Sequence, residues 1–222
     1  MDVTEAVQKR ISVRAFRPDP VPESLVREII DVARFAPSGG NLQPTRVIVV
    51  AGEERAKVVA LAQSALAAGI DEERERPIYP PNLWEPYRTR RYALGEQMYA
   101  LMGIPRENKP ARLEHVARNF EFFGAPVGLF FVTEKAFGHA QWAHMGMLMQ
   151  TIALVATERG LSTCMQEMWS RVRDTLAGHF ALADKDMIYC GMALGYADET
   201  KPVNALRSER ASVDEIATFK GF

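Results

Sequence analysis

The sequence predicts an α+β fold in a single domain, and three features carry that expectation. Helical and strand-like patterns mix along the chain without the strict alternation of a doubly wound sheet. At 222 residues the chain is long for one domain and short for two, so one compact domain spanning 1–222 is the default. Its 47% apolar and 25% charged residues supply ample material for a core.

Val3, Ala6 and Val7 recur at helical spacing and predict a short amphipathic helix over residues 2–9. A second helix starts near Pro22 and Glu23, carries Leu25, Ile29 and Val32 as an apolar stripe, and stops before Pro37. Residues 45–51 are rich in β-branched side chains and continuously apolar, which predicts a buried strand. Residues 53–67 read as helix. From Gly69 to Arg91 an acidic and basic run gives way to Pro77, Pro80, Pro81 and Pro86, interleaved with Tyr79, Trp84 and Tyr87. No single regular element tolerates that composition, and its aromatics argue against a disordered linker. An ordered excursion is expected there, a lid or part of a substrate pocket. Helix resumes over 92–102, a buried strand covers 128–132, and the longest helix runs over 139–159 before Gly160. A last strand at 187–193 leads into a polar C-terminal arm, residues 200–222.

The formal net charge of −1 gives no reason to expect a nucleic-acid or membrane-surface partner. The longest apolar run, residues 145–156, is broken by Gln150 and Thr151 and falls short of the roughly 20 residues a membrane helix needs. No apolar signal segment precedes Lys9-Arg10. Cys164 and Cys190 form no C-x-x-C pair, which fits small core residues in a reducing cytoplasm. The dinucleotide G-x-G-x-x-G, the Walker loop and the G-x-S-x-G elbow are all missing. His139 and His144 lie five apart, on different helix faces and outside any H-E-x-x-H, so no metal site is expected.

Three segments remain. In Arg10-Ile11-Ser12-Val13-Arg14, alternation puts Arg10, Ser12 and Arg14 on one side and leaves Ile11 and Val13 to pack. Such a pair of guanidinium groups binds a phosphate or the carbonyl edge of a planar heterocycle, or else forms a solvated basic edge. Ala36-Pro37-Ser38-Gly39-Gly40-Asn41-Leu42-Gln43-Pro44 either brings backbone N–H groups to a ligand or simply turns from helix to strand. Asn204…Arg207…Arg210 is a basic tail that, alone, reads as solvated surface.

Together with Phe16, Gly160-Leu161-Ser162-Thr163-Cys164 and Gly191-Met192-Ala193-Leu194-Gly195-Tyr196, these segments resemble the bacterial FMN-dependent nitroreductase family, in family order over nearly the whole chain. The resemblance implies a central, mostly antiparallel sheet flanked by helices, in an intertwined homodimer with FMN at the subunit interface. It implies that Arg10, Ser12 and Arg14 contact the phosphate and pyrimidine edge of FMN, where positive charge stabilises the anionic reduced flavin. Pro37, Ser38, Gly39, Asn41 and Gln43 would come from the other subunit. Arg210, with Arg207 second, would hold the phosphate, and Arg88 and Arg91 would reach the cofactor. Met165, Gln166 and Glu167 would form the loop beside the flavin, with the Glu167 backbone N–H meeting N5. This departs from the family's usual small-residue loop.

The activity so implied is a ping-pong reduction of nitroaromatics, quinones or similar small electrophiles, with NADH or NADPH as hydride donor. The cofactor supplies the reactivity, so no acid–base triad is required. Tyr79, Trp84 and Tyr87 could wall the substrate pocket, or anchor their own loop or the dimer interface. Two alternatives share the FMN-holding residues: another reaction on the same scaffold (reductive dehalogenation, alkene reduction or flavin destruction), and a non-catalytic FMN sensor or store.

Overall fold

The computed structural model describes residues 1–72 and 77–222. Residues 73–76, inside the expected excursion at 69–91, lie outside the described residues. Along the chain run α1 (Val3–Lys9), α2 (Glu23–Ala33), β1 (Arg46–Ala51), α3 (Gly52–Ala67), α4 (Tyr87–Leu101), α5 (Lys109–Ala117), β2 (Val127–Glu134), α6 (His139–Glu158), β3 (Ser162–Gln166), α7 (Arg173–His179), β4 (Asp186–Gly195) and α8 (Val213–Ile216). The strands form one sheet in the order β1-β2-β4-β3, every neighbouring pair antiparallel. The class is α+β, as the mixed pattern predicts.

The central strands β2 and β4 are buried on both faces, which is why their sequences are almost continuously apolar. Leu129 and Phe131 pack with Ile29 of α2 and Met145, Ile152 and Ala156 of α6. Phe130 and Val132 point the other way, into a cluster with Val58, Phe122, Trp169, Leu176 and Ile188. Trp169 is the centre of that second layer. Its ring lies 4.5 Å from Phe122 and 5.1 Å from Phe130, centroid to centroid. Gly191 of β4 makes room for it, because a Cβ there would sit 2.4 Å from the indole. Phe122 and Phe123 both adopt left-handed backbone, with φ of 53° and 52°. That conformation opposes folding by about 1–2 kcal/mol per residue, and the near-complete burial of both rings offsets it.

Several expectations are corrected. The strand at 45–51 is not buried: it is the sheet edge, and within it only Val50 is buried. A lone edge strand has neighbours on one side, and its β-branched residues signal sheet but not depth. In α2 the core-facing residues are Val26, Ile29 and Ala33, whereas Val32 is exposed. α4 begins at Tyr87 rather than Tyr92, so Arg88 and Arg91 are helical. Four elements were not foreseen: α5, whose sequence is polar; β3, which lacks alternation; and α7 and α8, which are only seven and four residues long. Among the described residues no helix is long and apolar enough to cross a membrane.

The excursion is fastened where it leaves the body. Glu72 accepts from the Asp174 N–H at 2.7 Å and from the Thr175 hydroxyl at 2.7 Å, placing a carboxylate at the N-terminus of α7. Asp71 pairs with Arg171 at 2.8 Å.

Candidate functional site

The N-terminal basic segment is threaded alongside β3. Val13 donates its N–H to the Thr163 carbonyl at 3.0 Å, and Ser12 and Thr163 are paired as in a parallel ladder. This fixes the alternation read from sequence: Val13 is fully buried while Arg10, Ser12 and Arg14 remain partly accessible. Farther on, the Arg17 N–H donates to the Tyr196 carbonyl at 2.9 Å, and the Asp198 N–H donates to the Ala15 carbonyl at 3.0 Å.

Asn204 locks this segment from the C-terminal side. Its Oδ1 accepts from the Arg14 N–H at 2.9 Å, and its Nδ2 donates to the carbonyls of Ala15 at 2.8 Å and Asp198 at 2.9 Å. A buried amide with these contacts is well satisfied.

Positive charge gathers here without a counter-ion. The Arg10 guanidinium is held below its ordinary range by burial and then by Arg210 nearby. The thiol of Cys164 is pushed up to about 11 by burial, against the opposing effect of Arg14 and Arg10. Thus Arg10, Arg14 and Arg210 lie around β3, and among the described residues no carboxylate pairs with any of them. Protein surfaces usually neutralise such a cluster, so the arrangement suits an anionic ligand. Arg210 donates to the Ser208 hydroxyl and, at 2.8 Å, to the Ser208 carbonyl. Arg207 turns back onto the Asn204 and Leu206 carbonyls at 3.0 and 3.1 Å.

Met165 and Gln166 end β3, and Glu167 opens the 3-10 turn Glu167–Val172. Gln166 is buried; its amide donates to the Asn119 carbonyl at 2.8 Å and accepts from the Trp169 indole at 3.3 Å. Only its main chain therefore remains for a ligand. Met165 and Glu167 are exposed. Cysteine, histidine and carboxylate groups of three or more with metal-site spacing are absent among the described residues.

The glycine-rich loop lies elsewhere. Residues 37–43 follow α2, with the 3-10 turn Gly39–Asn41 in their middle, and touch the body at His144 of α6. Among the described residues the loop's side-chain hydrogen bonds stay within the loop or go to His144, and none goes to Arg10, Ser12 or Arg14.

The aromatic residues of the excursion form a separate exposed patch. Trp84 and Tyr87 meet edge to face at 5.6 Å, and Arg91 lies over Tyr79 at 4.2 Å. Arg88 pairs with Glu85 at 2.7 Å. Arg88 and Arg91 line an open groove with Leu83, Tyr92 and Tyr99, and Arg90 ties α4 to the C-terminal arm through Glu215 at 2.6 Å.

Sequence reasoning missed the residues that act at a distance. His144 was weighed only as a metal ligand, and its contact lies 105 residues away. His115 of α5 carries no sequence signal of its own; it is buried, and its Nε2 has no hydrogen-bond partner among the described residues. Neither carries a local signal.

Residues 7–196 match the family model described as Nitroreductase family. The chain is similar to the 4-nitrobenzoate reductase of Pseudomonas putida, 38% identical over 100% of this chain and 96% of that protein. It is similar to the nitrobenzene nitroreductase of Ectopseudomonas oleovorans, 35% identical over 98% and 96%. Among solved structures it resembles the FMN- and NADPH-dependent nitroreductase NfnB of Sphigopyxis sp. strain HMH, with a TM-score of 0.95, 38% identity and full coverage of both chains.

Proposed function

The chain belongs to the nitroreductase family, and from that premise we propose that it is an FMN-dependent NAD(P)H oxidoreductase that reduces nitroaromatic compounds, with quinones and similar small electrophiles as further acceptors. The observation that carries the proposal is the uncompensated set Arg10, Arg14 and Arg210 beside β3, in a chain alike over its full length to reductases of 4-nitrobenzoate and nitrobenzene.

The residues present fit FMN. Arg10 and Arg210 suit a phosphate, with Arg207 within the same tail; Arg14 and Ser12 suit the pyrimidine edge. The main chain of Met165, Gln166 and Glu167 would border the ring, with the Glu167 N–H as the donor to N5. When bound, FMN supplies the two-electron chemistry, accepting reducing equivalents from NADH or NADPH and passing them to the nitro compound. The arginines orient the cofactor and hold positive charge where negative charge develops. Asn204 and the Val13–Thr163 contact fix the backbone that presents them. Tyr79, Trp84 and Tyr87 border the acceptor's approach, and Arg88 and Arg91 reach toward the cofactor.

We take the working unit to be a single-domain chain paired in a cytoplasmic homodimer. Three facts support the pairing. The hydrogen bonds of residues 37–43 go to one another and to His144, not to the basic segment. The free edge of β1 leaves Val49 exposed. The arm displays Val213, Ile216, Phe219 and Phe222 to solvent, a run of apolar side chains unusual for a solvated tail.

The test is the visible spectrum of the purified protein, recorded anaerobically with NADPH, with NADH and then with 4-nitrobenzoate. A yellow protein that bleaches with a nicotinamide and recovers its colour with the nitro compound is expected. A colourless protein that FMN cannot reconstitute would overturn the proposal.

A further inference from the structure

We infer, resting on the proposed binding of FMN, that His144 is a positioning residue for the cofactor: its imidazole holds the Gly39 N–H and thereby sets the shape of residues 37–43. The Gly39 N–H donates to His144 Nε2 at 3.2 Å. That N–H belongs to the first residue of the 3-10 turn Gly39–Asn41, where a short helix has no partner of its own to offer. The backbone runs so close to the ring that a Cβ on Gly39 would lie 3.1 Å from His144 Cε1 and 3.3 Å from Nε2. A side chain at this position would push the imidazole back by a few tenths of an ångström.

The remaining order of the loop is internal to it. Asn41 N–H donates to the Ser38 carbonyl at 2.9 Å, Gln43 N–H to Ser38 Oγ at 3.0 Å, and Gln43 Nε2 to the Asn41 carbonyl at 3.2 Å. Asn41 and Gln43 adopt left-handed backbone, with φ of 54° and 48°, a conformation that non-glycine residues resist. A loop with such internal strain and a glycine pair has competing shapes, and a tie to the body selects among them. Thr133 provides that tie at the far end, donating to the Pro44 carbonyl at 3.0 Å. His144 provides it at the near end.

Acceptance at Nε2 places the ring proton on Nδ1, which is buried and has no hydrogen-bond partner among the described residues. The Nε2 lone pair is thus aimed at the loop. His144 touches no cofactor atom in this scheme; it acts through Gly39.

The experiment compares wild type, His144→Phe and His144→Gln by FMN titration, reading the quenching of flavin fluorescence, and by hydrogen exchange of the Gly39 amide in the flavin-free protein. Phenylalanine keeps the ring's bulk without an acceptor, and glutamine can present Oε1 in place of Nε2. Expected is an FMN Kd raised about tenfold in His144→Phe, as for one lost hydrogen bond, with glutamine restoring it to within about threefold. Gly39 exchange is expected to be slow in wild type and His144→Gln and fast in His144→Phe. A fast-exchanging Gly39 amide in wild type overturns the inference without any variant. So does a His144→Phe protein that binds FMN as wild type does, or a glutamine variant that melts normally yet loses as much affinity as phenylalanine. Wild type that takes up no FMN overturns the functional proposal itself, and this role with it.

Discussion

Asn204 grips the backbone of Arg14 from 190 residues away: its Oδ1 accepts the Arg14 N–H at 2.9 Å while its Nδ2 donates to the neighbouring Ala15 carbonyl at 2.8 Å. The C-terminal segment thereby fixes the direction in which the N-terminal arginine points. Replacing Asn204 by Leu leaves a donor and two acceptors unpaired in a buried place. We expect a loss of about 2–3 kcal/mol in stability together with weakened FMN retention, measured by urea denaturation and by flavin titration. Asn204→Asp keeps the acceptor and should lie between. A leucine variant as stable as wild type would show that the clamp is dispensable.

The basic cluster makes a sharper prediction about affinity. Arg10→Ala, Arg14→Ala and Arg210→Ala should each weaken FMN binding by about 1.5–3 kcal/mol, the range for a charge-assisted hydrogen bond. Arg27→Ala, which removes an exposed i,i+4 pair with Glu23, should leave affinity unchanged and stability within about 0.5 kcal/mol. Flavin titration at two salt concentrations reads both quantities. Equal losses at Arg27 and Arg14 would remove the cluster from the site.

His115 gives the fold a pH dependence of definite sign. Burial, then Arg118 and Arg14, hold its imidazole down from 6.5 to about 4. The unfolded chain takes up a proton near 6.5, whereas the fold resists until about 4. Between those values the unfolded state binds more protons, so stability is full above 6.5 and falls as pH drops toward 4. Below that, both states are protonated and the contribution is flat. The whole effect is about 3 kcal/mol. Urea midpoints between pH 7 and 4.5 should show the decline, and His115→Phe should flatten it; an equal slope in that variant would assign the effect to other groups.

How far the sequence reveals this molecule depends on the range of the interaction. The longest helix was legible because residues 145–156 are almost continuously apolar, interrupted only at Gln150 and Thr151, and β2 and β4 because central strands are apolar on both faces. β3 was not, since Ser-Thr-Cys-Met-Gln has no alternation and becomes a strand by pairing with β4. The depth of β1 was misjudged because β-branched residues report sheet, while its place at the edge is decided by topology. At the site, the facing of Arg10, Ser12 and Arg14 followed from a period of two. The nearness of Arg10 to Arg210, the Asn204 clamp and the His144 contact with Gly39 are long-range and left no local pattern.

The last prediction joins the core to the site. Trp169 packs against Gly191, where a Cβ would stand 2.4 Å from Cδ1 and 2.9 Å from Nε1 of the indole. Trp169 is fully buried among Phe120, Phe122 and Phe130, so it has no free direction in which to retreat. It also belongs to the 3-10 turn Glu167–Val172 that opens with the proposed flavin neighbour, and its indole N–H holds the Gln166 side chain at 3.3 Å. Gly191→Ala must therefore displace the turn or the strand. An overpacked core of this kind costs about 1–3 kcal/mol, and displacement of the turn should also alter the flavin absorption spectrum and slow its reduction. By contrast Gly178→Ala, in α7 with open space around the site of the added methyl, should be neutral or stabilising by up to about 1 kcal/mol. Thermal melts and anaerobic stopped-flow reduction by NADPH measure the two effects. If Gly191→Ala lowered stability while leaving spectrum and reduction rate untouched, the turn and the flavin would be independent, and Glu167 would lose its place beside N5.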